Sequence, residues 1–377
     1  MRNSVTRFAQ IINYKIMKNA HNNCGCFFMR KAIRFFDIVL SFICIIFFIF
    51  LIISNSAKSV SAASQIARQV YVSGEAFGIK LYTNGVIVVG TQAVETENKK
   101  INPAKTAGIE VGDIIVSINN INVYSSDEVS ELLNDNNGLP FKIRLKRDGR
   151  YKNFVLKPVY SQREGCYKAG MWVRDSTAGI GTITYYDKKS EVFASLGHQV
   201  NDVDTNEIMP LLKGEAVGAR VSEVQKASSG TTGALSCEFK EETLGKLLAN
   251  SEYGLYGKYS HIGENAFPIT VASKREIKKG KAKILSTIDE GKPKFYDVEI
   301  TRISYRNSRN AKNIVFKITD KELIEKTGGI VQGMSGSPLI QNNRLIGAVT
   351  HVIVNNPEKG YAVFAETMLE KSDSFVE

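Results

Sequence analysis

Cysteine and histidine are scarce in this sequence. Five cysteines occur in 377 residues, and Cys24, Cys26 and Cys44 lie near the N-terminus. That leaves Cys166 and Cys237, which could form one disulfide or stay as thiols, so a disulfide-built scaffold is excluded. The four histidines are far apart and do not form a metal-ligand cluster. The sequence therefore predicts no metal site and no cofactor.

Acidic residues are nearly absent from the first 37 positions, where seven basic side chains accompany only Asp37. This segment contributes +6 to the formal net charge of +11, and the other 340 residues contribute only +5. So small a surplus is typical of a solvated surface and does not indicate nucleic-acid binding. Hydrophobic residues make up 43% of the chain, which excludes wholesale disorder, and the length predicts two domains and a tail.

Long apolar runs are also rare, and one stands out. Residues 38–53 read IVLSFICIIFFIFLII, without charge, glycine or proline. With Ser54 the run is just long enough to cross a bilayer as a helix, and the basic residues before it predict a cytoplasmic tail at 1–37. We therefore expect a signal-anchor at 38–54 and the rest of the chain outside the membrane. A signal peptide cleaved near residues 61–63 is the alternative.

A linker at 55–72 leads to a first folded unit, predicted at 73–158. Asn84-Gly85 separates two β-prone runs, which predicts a hairpin. Ser125 and Glu128 have the spacing of a capping box at the start of a helix. The string NPAKTAGIEVGDIIVSIN at 102–119 resembles the PDZ domains of bacterial membrane-associated proteases.

The PDZ resemblance implies that this unit binds peptides by β-augmentation. The backbone N–H groups of Phe77, Gly78 and Ile79 would hold a terminal carboxylate, and the ligand strand would lie beside the helix that follows Ser125. Phe77 and Ile79 could equally be core residues and Gly78 a turn former. The ligand would be either the chain's own N-terminal segment or the tail of a substrate.

The second unit, predicted at 165–377, is mostly β. Short β-type runs separated by turn residues indicate an antiparallel barrel or sandwich. The candidate nucleophile motif is GMSGSP at 333–338. Glycines on both sides of Ser335 allow a sharp turn that projects its hydroxyl, with the N–H groups of Gly333 and Ser335 as oxyanion donors. A plain surface turn is the alternative, and Ser337 is a second candidate nucleophile.

A serine nucleophile needs a base, and three histidines are available. His198 follows a strand and precedes the serine, which matches the chymotrypsin-like order of base, acid and nucleophile. His351, at the end of the strand after the nucleophile turn, is the second candidate, and His261 lies in a polar loop. The residue pattern does not show which aspartate would be the acid of the triad. The candidates are Asp187, Asp202, Asp204, Asp289, Asp297 and Asp320.

Several stretches resemble the SpoIVB-type serine peptidases of spore-forming Gram-positive bacteria. They are GTIT at 181–184, SLGH at 195–198, KITD at 317–320, TGGIVQGMSGSP at 327–338 and IGAVTHV at 346–352. The resemblance implies a chymotrypsin-like barrel and a triad in which Ser335 attacks, His198 moves the proton and Asp320 orients the imidazole. Asp320 stands only 15 positions before Ser335, so its assignment rests on the family.

The resemblance also implies a role. The protein would be an exported signalling protease of sporulation, in the forespore intermembrane space, that cuts a membrane-bound regulator of an intramembrane protease and thereby triggers sigma-factor processing. It would also release itself by cleavage in the linker. Two alternatives are an envelope quality-control protease of the HtrA type and a non-catalytic, membrane-anchored PDZ adaptor. The sequence gives no scissile bond.

Overall fold

The computed structural model describes residues 68–305 and 312–375. The predicted tail at 1–37, the membrane segment at 38–54 and most of the linker lie outside the described residues. Within the described ranges, no helix is long and apolar enough to span a bilayer. The described part is mostly β, as predicted, while the domain boundaries remain predictions from the sequence.

The strands and helices follow one another in this order. In the first half, the strands are β1 (Gln69–Val72), β2 (Ala76–Thr91), β3 (Val94–Glu95), β4 (Lys100–Ile101), β5 (Ile114–Ile118), β6 (Ile121–Asn122), β7 (Phe141–Arg147), β8 (Arg150–Leu156), β9 (Val159–Ser161), β10 (Cys166–Lys168) and β11 (Met171–Asp187). In the second half, they are β12 (Val192–Ser195), β13 (Leu211–Gln225), β14 (Ala234–Ser251), β15 (Gly254–Tyr259), β16 (Phe267–Val271), β17 (Gly280–Ser286), β18 (Lys294–Ile303), β19 (Ile314–Ile318), β20 (Pro338–Gln341), β21 (Arg344–Val352) and β22 (Lys359–Phe364). The helices are α1 (Pro103–Thr106), α2 (Ser126–Asp135), α3 (Lys321–Thr327) and α4 (Ala365–Asp373), with a 3-10 turn at Lys274–Glu276.

Helix α2 begins where the sequence predicts. The Ser125 hydroxyl accepts from the Glu128 N–H at 3.1 Å, and the Glu128 carboxylate accepts from the Ser125 N–H at 3.3 Å. This capping box satisfies two N–H groups that the first turn of a helix otherwise leaves unpaired. Val129 on α2 is buried against strands β5, β7 and β8, and Met171 and Val173 of β11 pack against the same core.

The predicted hairpin at Asn84-Gly85 is wrong, because β2 continues through it. The first half of β2 lies between β11 and β13, whereas the second half lies between β11 and β5. Strand β11 runs antiparallel beside β2 from Met171 to Thr182. A partner of that length holds the two β-prone runs in one line, although Gly85 keeps a positive φ of 99°.

Strand β11 joins the two parts of the molecule. It begins in the PDZ core, follows β2, and then pairs with β12 from Ile183 to Asp187. β12 ends at Ser195, just before His198, and the Ser335 turn leads into the β20–β21 hairpin. Both loops with predicted catalytic residues are thus anchored in the strand network around β11.

The second unit contains most of the buried apolar side chains. One core lies between β17–β22 and β13–β14, and another lies between β1, β12, β15, β16 and α4. Among the described strands of this unit, the pairings are antiparallel except that of β16 with β21, and one isolated bridge, Ala234 with Gln332, is also parallel. Cys166 and Cys237 are both half-buried free thiols, so the one disulfide they could form is absent.

Candidate active site

The Ser335 turn is tight, and its two glycines are required. Gly333 has a φ of 98° and Gly336 a φ of 97°, in the region that side chains other than glycine rarely adopt. A Cβ on Gly336 would lie 2.0 Å from the Thr182 carbonyl oxygen, so no other residue fits there. The sequence motif therefore reflects a close approach of the turn to β11.

Three hydrogen bonds from β11 hold the carbonyl groups of this turn. The Thr182 N–H donates to the Ser335 carbonyl at 2.8 Å, and the Thr182 hydroxyl donates to the Gly333 carbonyl at 2.8 Å. The Thr184 hydroxyl donates to the Gly336 carbonyl at 2.7 Å. The N–H groups of Gly333 and Ser335 have no acceptor among the described residues. They are the donors that an oxyanion hole needs.

His198 follows a strained piece of backbone. Leu196 has a φ of 63° although it is not glycine, and Gly197 has a φ of 68°. The Nδ1 atom of His198 lies 2.8 Å from the Gln199 carbonyl oxygen. Since a carbonyl only accepts, Nδ1 carries the proton and Nε2 is left unprotonated, which is the form a general base requires.

His351 lies against His198, with the ring centroids 4.8 Å apart. Burial lowers the pKa of His198, although its bond to Gln199 opposes that shift. Burial, and then the charges of His198 and Lys312, lower the pKa of His351 to about 4. Its Nδ1 is buried without a hydrogen-bond partner in the described part of the chain. Both rings are therefore neutral at pH 7.

The structure brings Ser335, His198 and His351 into one cleft of about 980 Å³. The Ser335 hydroxyl donates to the Thr350 carbonyl at 2.8 Å and not to an imidazole. The apolar residues on the walls of the cleft include Ile180 of β11, Leu235, Phe239, Val331 and Val352. The cleft is large enough to hold a short polypeptide segment, and the Ser335 hydroxyl must leave the Thr350 carbonyl before it can bond a histidine.

The structure does not bring Asp320 to the imidazole. Asp320 is the N-cap of α3, where its carboxylate accepts from the Leu323 N–H at 3.0 Å and from the Asp297 N–H at 3.2 Å. Among the described residues it is not part of the cleft lining. The imidazole of His198 is oriented instead by the hydrogen bond that its Nδ1 donates to the Gln199 carbonyl. The triad role of Asp320 stays a prediction from family resemblance that this arrangement does not support.

The predicted peptide-binding loop is a strand. Phe77, Gly78 and Ile79 lie in β2, where all three pair with β11 on one edge and with β13 on the other. Phe77 and Ile79 are buried in an apolar core, which is the alternative that the sequence left open. A strand with both edges occupied has no edge for a peptide, so these residues do not form a carboxylate loop.

The remaining candidates lie elsewhere. Ser337 is fully buried, and its hydroxyl donates to the Ser286 hydroxyl at 2.9 Å, so it is no alternative nucleophile. His261 is exposed and lies 3.2 Å from a Glu242 carboxylate oxygen.

The sequence alone does not indicate the role of Thr182. The GTIT stretch at 181–184 is part of the family resemblance, but only the fold shows that its two threonine hydroxyls donate to the Ser335 turn.

Two families match the chain. One, described as SpoIVB peptidase S55, matches residues 165–369, which is more than half of the chain. The other, described as a PDZ domain, matches residues 102–147.

Individual proteins match shorter parts. A Clostridium acetobutylicum protein named as a zinc metalloprotease is 39% identical over 70 residues, which make up 19% of this chain and 21% of that protein. This chain thus spans about a fifth of that relative. The crystal structure of the PDZ domain of an SdrC-like protein from Listeria monocytogenes is 22% identical. The match covers 24% of this chain and 87% of the Listeria domain, with a TM-score of 0.20.

These matches define the class as a serine peptidase, a hydrolase, that carries a PDZ domain. More closely, the chain belongs to the SpoIVB peptidase S55 family, because that family matches more than half of it. The predicted enzyme class and the predicted family resemblance are confirmed.

Substitution of Asp320 tests its role as a helix cap. Asparagine caps a helix about as well as aspartate, whereas alanine does not. We expect Asp320→Ala to lose about 1 kcal/mol of unfolding free energy in urea and Asp320→Asn to lose clearly less, because asparagine keeps one acceptor oxygen for the Leu323 N–H. Equal destabilisation by both variants would contradict the cap. Loss of Ser335 reactivity in a stable Asp320→Asn variant would instead support the family-derived triad role.

The pH dependence of Ser335 reactivity tests the buried base. When burial lowers the pKa of a histidine, its ring stays neutral at pH values below the usual pKa of about 6.5. The histidine then stops acting as a base only when the pH falls further. We expect the acid limb of the rate of fluorophosphonate labelling to have its midpoint below pH 6.5. A midpoint at or above 6.5 contradicts this.

Proposed function

We propose that this protein is a membrane-anchored, exported serine endopeptidase of sporulation, which cuts a membrane-bound regulator and its own linker. The observation that carries the endopeptidase activity is the convergence in one cleft of Ser335, His198 with its Nδ1 at the Gln199 carbonyl, and two backbone N–H groups that have no acceptor among the described residues. The cleft is open enough for an internal segment of a polypeptide.

The proposed reaction is acyl transfer to serine. The Ser335 hydroxyl turns away from the Thr350 carbonyl and attacks the scissile carbonyl carbon, while His198 Nε2 takes its proton. The N–H groups of Gly333 and Ser335 stabilise the developing oxyanion. His198 then gives the proton to the leaving amine, and water hydrolyses the acyl-enzyme by the same route in reverse. No metal or cofactor takes part in these steps.

The anchoring and signalling parts of this proposal rest on the sequence. The apolar run at 38–54 supports an anchor with the peptidase on the extracytoplasmic side, and family membership supports a role in sporulation. The same membership supports a chymotrypsin-like arrangement of the strands. The linker before β1 is the proposed site of self-cleavage because it follows the anchor directly, whereas residues 69–72 of the predicted linker form β1.

Activity-based labelling tests the proposed chemistry. We expect a fluorophosphonate to modify the full-length protein, extracted in detergent, at Ser335, because the probe mimics the tetrahedral intermediate. Ser335→Ala should abolish labelling and His198→Ala should slow it at least a hundredfold, the usual contribution of a general base. The matched control is His261→Ala, whose ring lies outside the cleft and whose labelling should equal that of the wild type.

Labelling that survives Ser335→Ala would show another nucleophile. Absence of labelling in a folded protein would leave a membrane-anchored PDZ adaptor as the better description.

A further inference from the structure

The positive charge of the folded part is concentrated in one short segment. Residues 274–283 read KREIKKGKAK, with six basic side chains against one acid, Glu276. This segment alone carries a net charge of +5, as much as the whole surplus of +5 in the 340 residues after position 37. It includes the 3-10 turn at Lys274–Glu276 and the start of β17. The charge is therefore local and not spread over the surface.

Four of these basic side chains are exposed and have no ion-pair partner among the described residues. They form what we call the basic patch, namely Arg275, Lys278, Lys279 and Lys281. Glu299 lies opposite Lys281 in the register of β17 with β18 and offsets one of their charges. The neighbouring basic side chains are paired, Lys274 with Glu366 and Glu370, Lys283 with Asp297, and Arg344 with Glu276. A positive surplus thus remains on this side of the peptidase.

The basic patch is a fixed part of the fold. The side chain of Gln341, which is buried at the end of β20, accepts from the Lys278 N–H at 3.1 Å. It also donates to the carbonyls of Lys278 and Lys281, at 2.9 and 3.1 Å. Three hydrogen bonds from one buried side chain therefore hold the backbone of the segment in place.

An apolar pocket adjoins the patch. It has a volume of about 540 Å³, and its lining includes Lys283 beside Phe267, Ile269, Phe295 and Ile340. Phe295 is 47% exposed. Since strand residues two apart point to the same side, Phe295 shares one face of β17 and β18 with Lys281 and Lys283. An exposed aromatic ring beside basic side chains is typical of a surface that lies at a membrane–water interface.

The chain that comes from the predicted anchor enters the fold at this place. The Val271 N–H donates to the Arg68 carbonyl at 2.9 Å, and β1 then runs antiparallel to β16 from Gln69, which also lines the apolar pocket. Only residues 55–68 separate the predicted anchor from β1, and a chain of that length reaches at most about 50 Å. A bilayer that holds the anchor is therefore within reach of the patch.

The catalytic cleft lies at the other end of the β20–β21 hairpin. Gln341 and Arg344 lie at the end beside the patch, whereas the Thr350 carbonyl accepts from the Ser335 hydroxyl. A strand from Arg344 to Thr350 spans about 20 Å. A membrane surface against the patch would leave the cleft uncovered, up to about 20 Å away from the lipid.

We propose that the basic patch and Phe295 dock on the surface of a bilayer that contains anionic lipid. This inference rests on the proposed membrane-anchored function. Anionic headgroups attract basic side chains near the surface, and the anchor keeps the patch at a high effective concentration beside them, so a small positive surplus is enough. Docking sets the height at which the cleft meets a membrane-bound substrate.

Chemical protection of lysines tests the docking in the unaltered chain. The full-length protein is reconstituted in vesicles of phosphatidylcholine, or of phosphatidylcholine and phosphatidylglycerol in equal parts. A membrane-impermeant amine reagent then modifies it, and mass spectrometry gives the rate at each lysine. We expect Lys278 and Lys279 to react at least threefold more slowly in the anionic vesicles, and the difference to vanish in high salt, which screens the attraction. Lys240 and Lys258, which are exposed on β14 and β15, should react equally in both.

Equal rates at Lys278 and Lys279 in the two kinds of vesicle would overturn the proposal. Protection of the same strength in phosphatidylcholine alone would also overturn it, and would indicate that a second copy of the chain covers the patch.

Tryptophan fluorescence provides the second arm. The chain has one tryptophan, Trp172, so Phe295→Trp in a Trp172→Phe background places the one indole beside the patch. We expect lipids with brominated acyl chains to lower its emission at least twofold in the anionic vesicles and to leave it unchanged in phosphatidylcholine alone. Glutamine at all four positions of the patch should abolish the quenching. The matched control removes the same charge elsewhere, with glutamine at the exposed Lys226, Lys240, Lys246 and Lys258, and should keep it.

Extraction at alkaline pH separates this proposal from the proposed function. If sodium carbonate leaves the protein in the vesicles but lipid neither protects the patch nor quenches the indole, the docking proposal fails and the anchor stands. If carbonate extracts the protein, the anchor itself fails, and with it the membrane-anchored part of the proposed function.

Discussion

The hydrogen bond from the Thr182 N–H to the Ser335 carbonyl is the interaction on which the site depends. It fastens the nucleophile turn to a long strand that is itself paired on both sides beyond that point. The two threonine hydroxyls of the same strand hold two further carbonyls of the turn. The turn also carries the Gly333 and Ser335 N–H groups, which have no acceptor among the described residues, and both residues line the cleft. Strand β11 thus holds the turn that supplies the candidate oxyanion donors.

Burial and a backbone carbonyl set the protonation state of His198, the candidate base in this site. Burial keeps the His198 ring neutral, and the Gln199 carbonyl selects the tautomer that leaves Nε2 as the acceptor. This is the task that a carboxylate performs in a serine-protease triad. The Ser335 hydroxyl is bound to the Thr350 carbonyl, so the arrangement is a resting one. Catalysis requires that the hydroxyl exchange this partner for the imidazole.

The sequence predicts the local features of this protein well. Gly333 and Gly336 flank the serine because of a backbone constraint that the motif itself records. The capping box at Ser125 is local too, and it is confirmed. The mostly β class and the PDZ unit follow from short-range patterns in the same way.

Long-range pairing explains what the sequence does not predict. The residues around Asn84-Gly85 favour a hairpin, but β11 pairs along both halves of β2 and holds them in one strand. For that reason Phe77–Ile79 lie in a buried strand and not in a ligand loop. Asp320 is equally suited by residue type to a triad or to a helix cap, and only the position of α3 shows that it caps. The Thr182 hydroxyl carries no sequence signal of its role.

The most direct test of this account is the rate of fluorophosphonate labelling in a Thr182→Val variant. Valine keeps the shape and the backbone bond of residue 182 but removes the hydroxyl that holds the Gly333 carbonyl. Without that bond the turn no longer holds the nucleophile and the oxyanion donors in place, and loss of one such donor slows acyl transfer about a hundredfold, so labelling should slow about tenfold or more in a folded protein. The matched control is Thr287→Val, which removes a buried bond of 3.0 Å to the Gly74 carbonyl outside the cleft and should label normally. A wild-type rate in Thr182→Val would contradict the claim that β11 shapes the nucleophile turn.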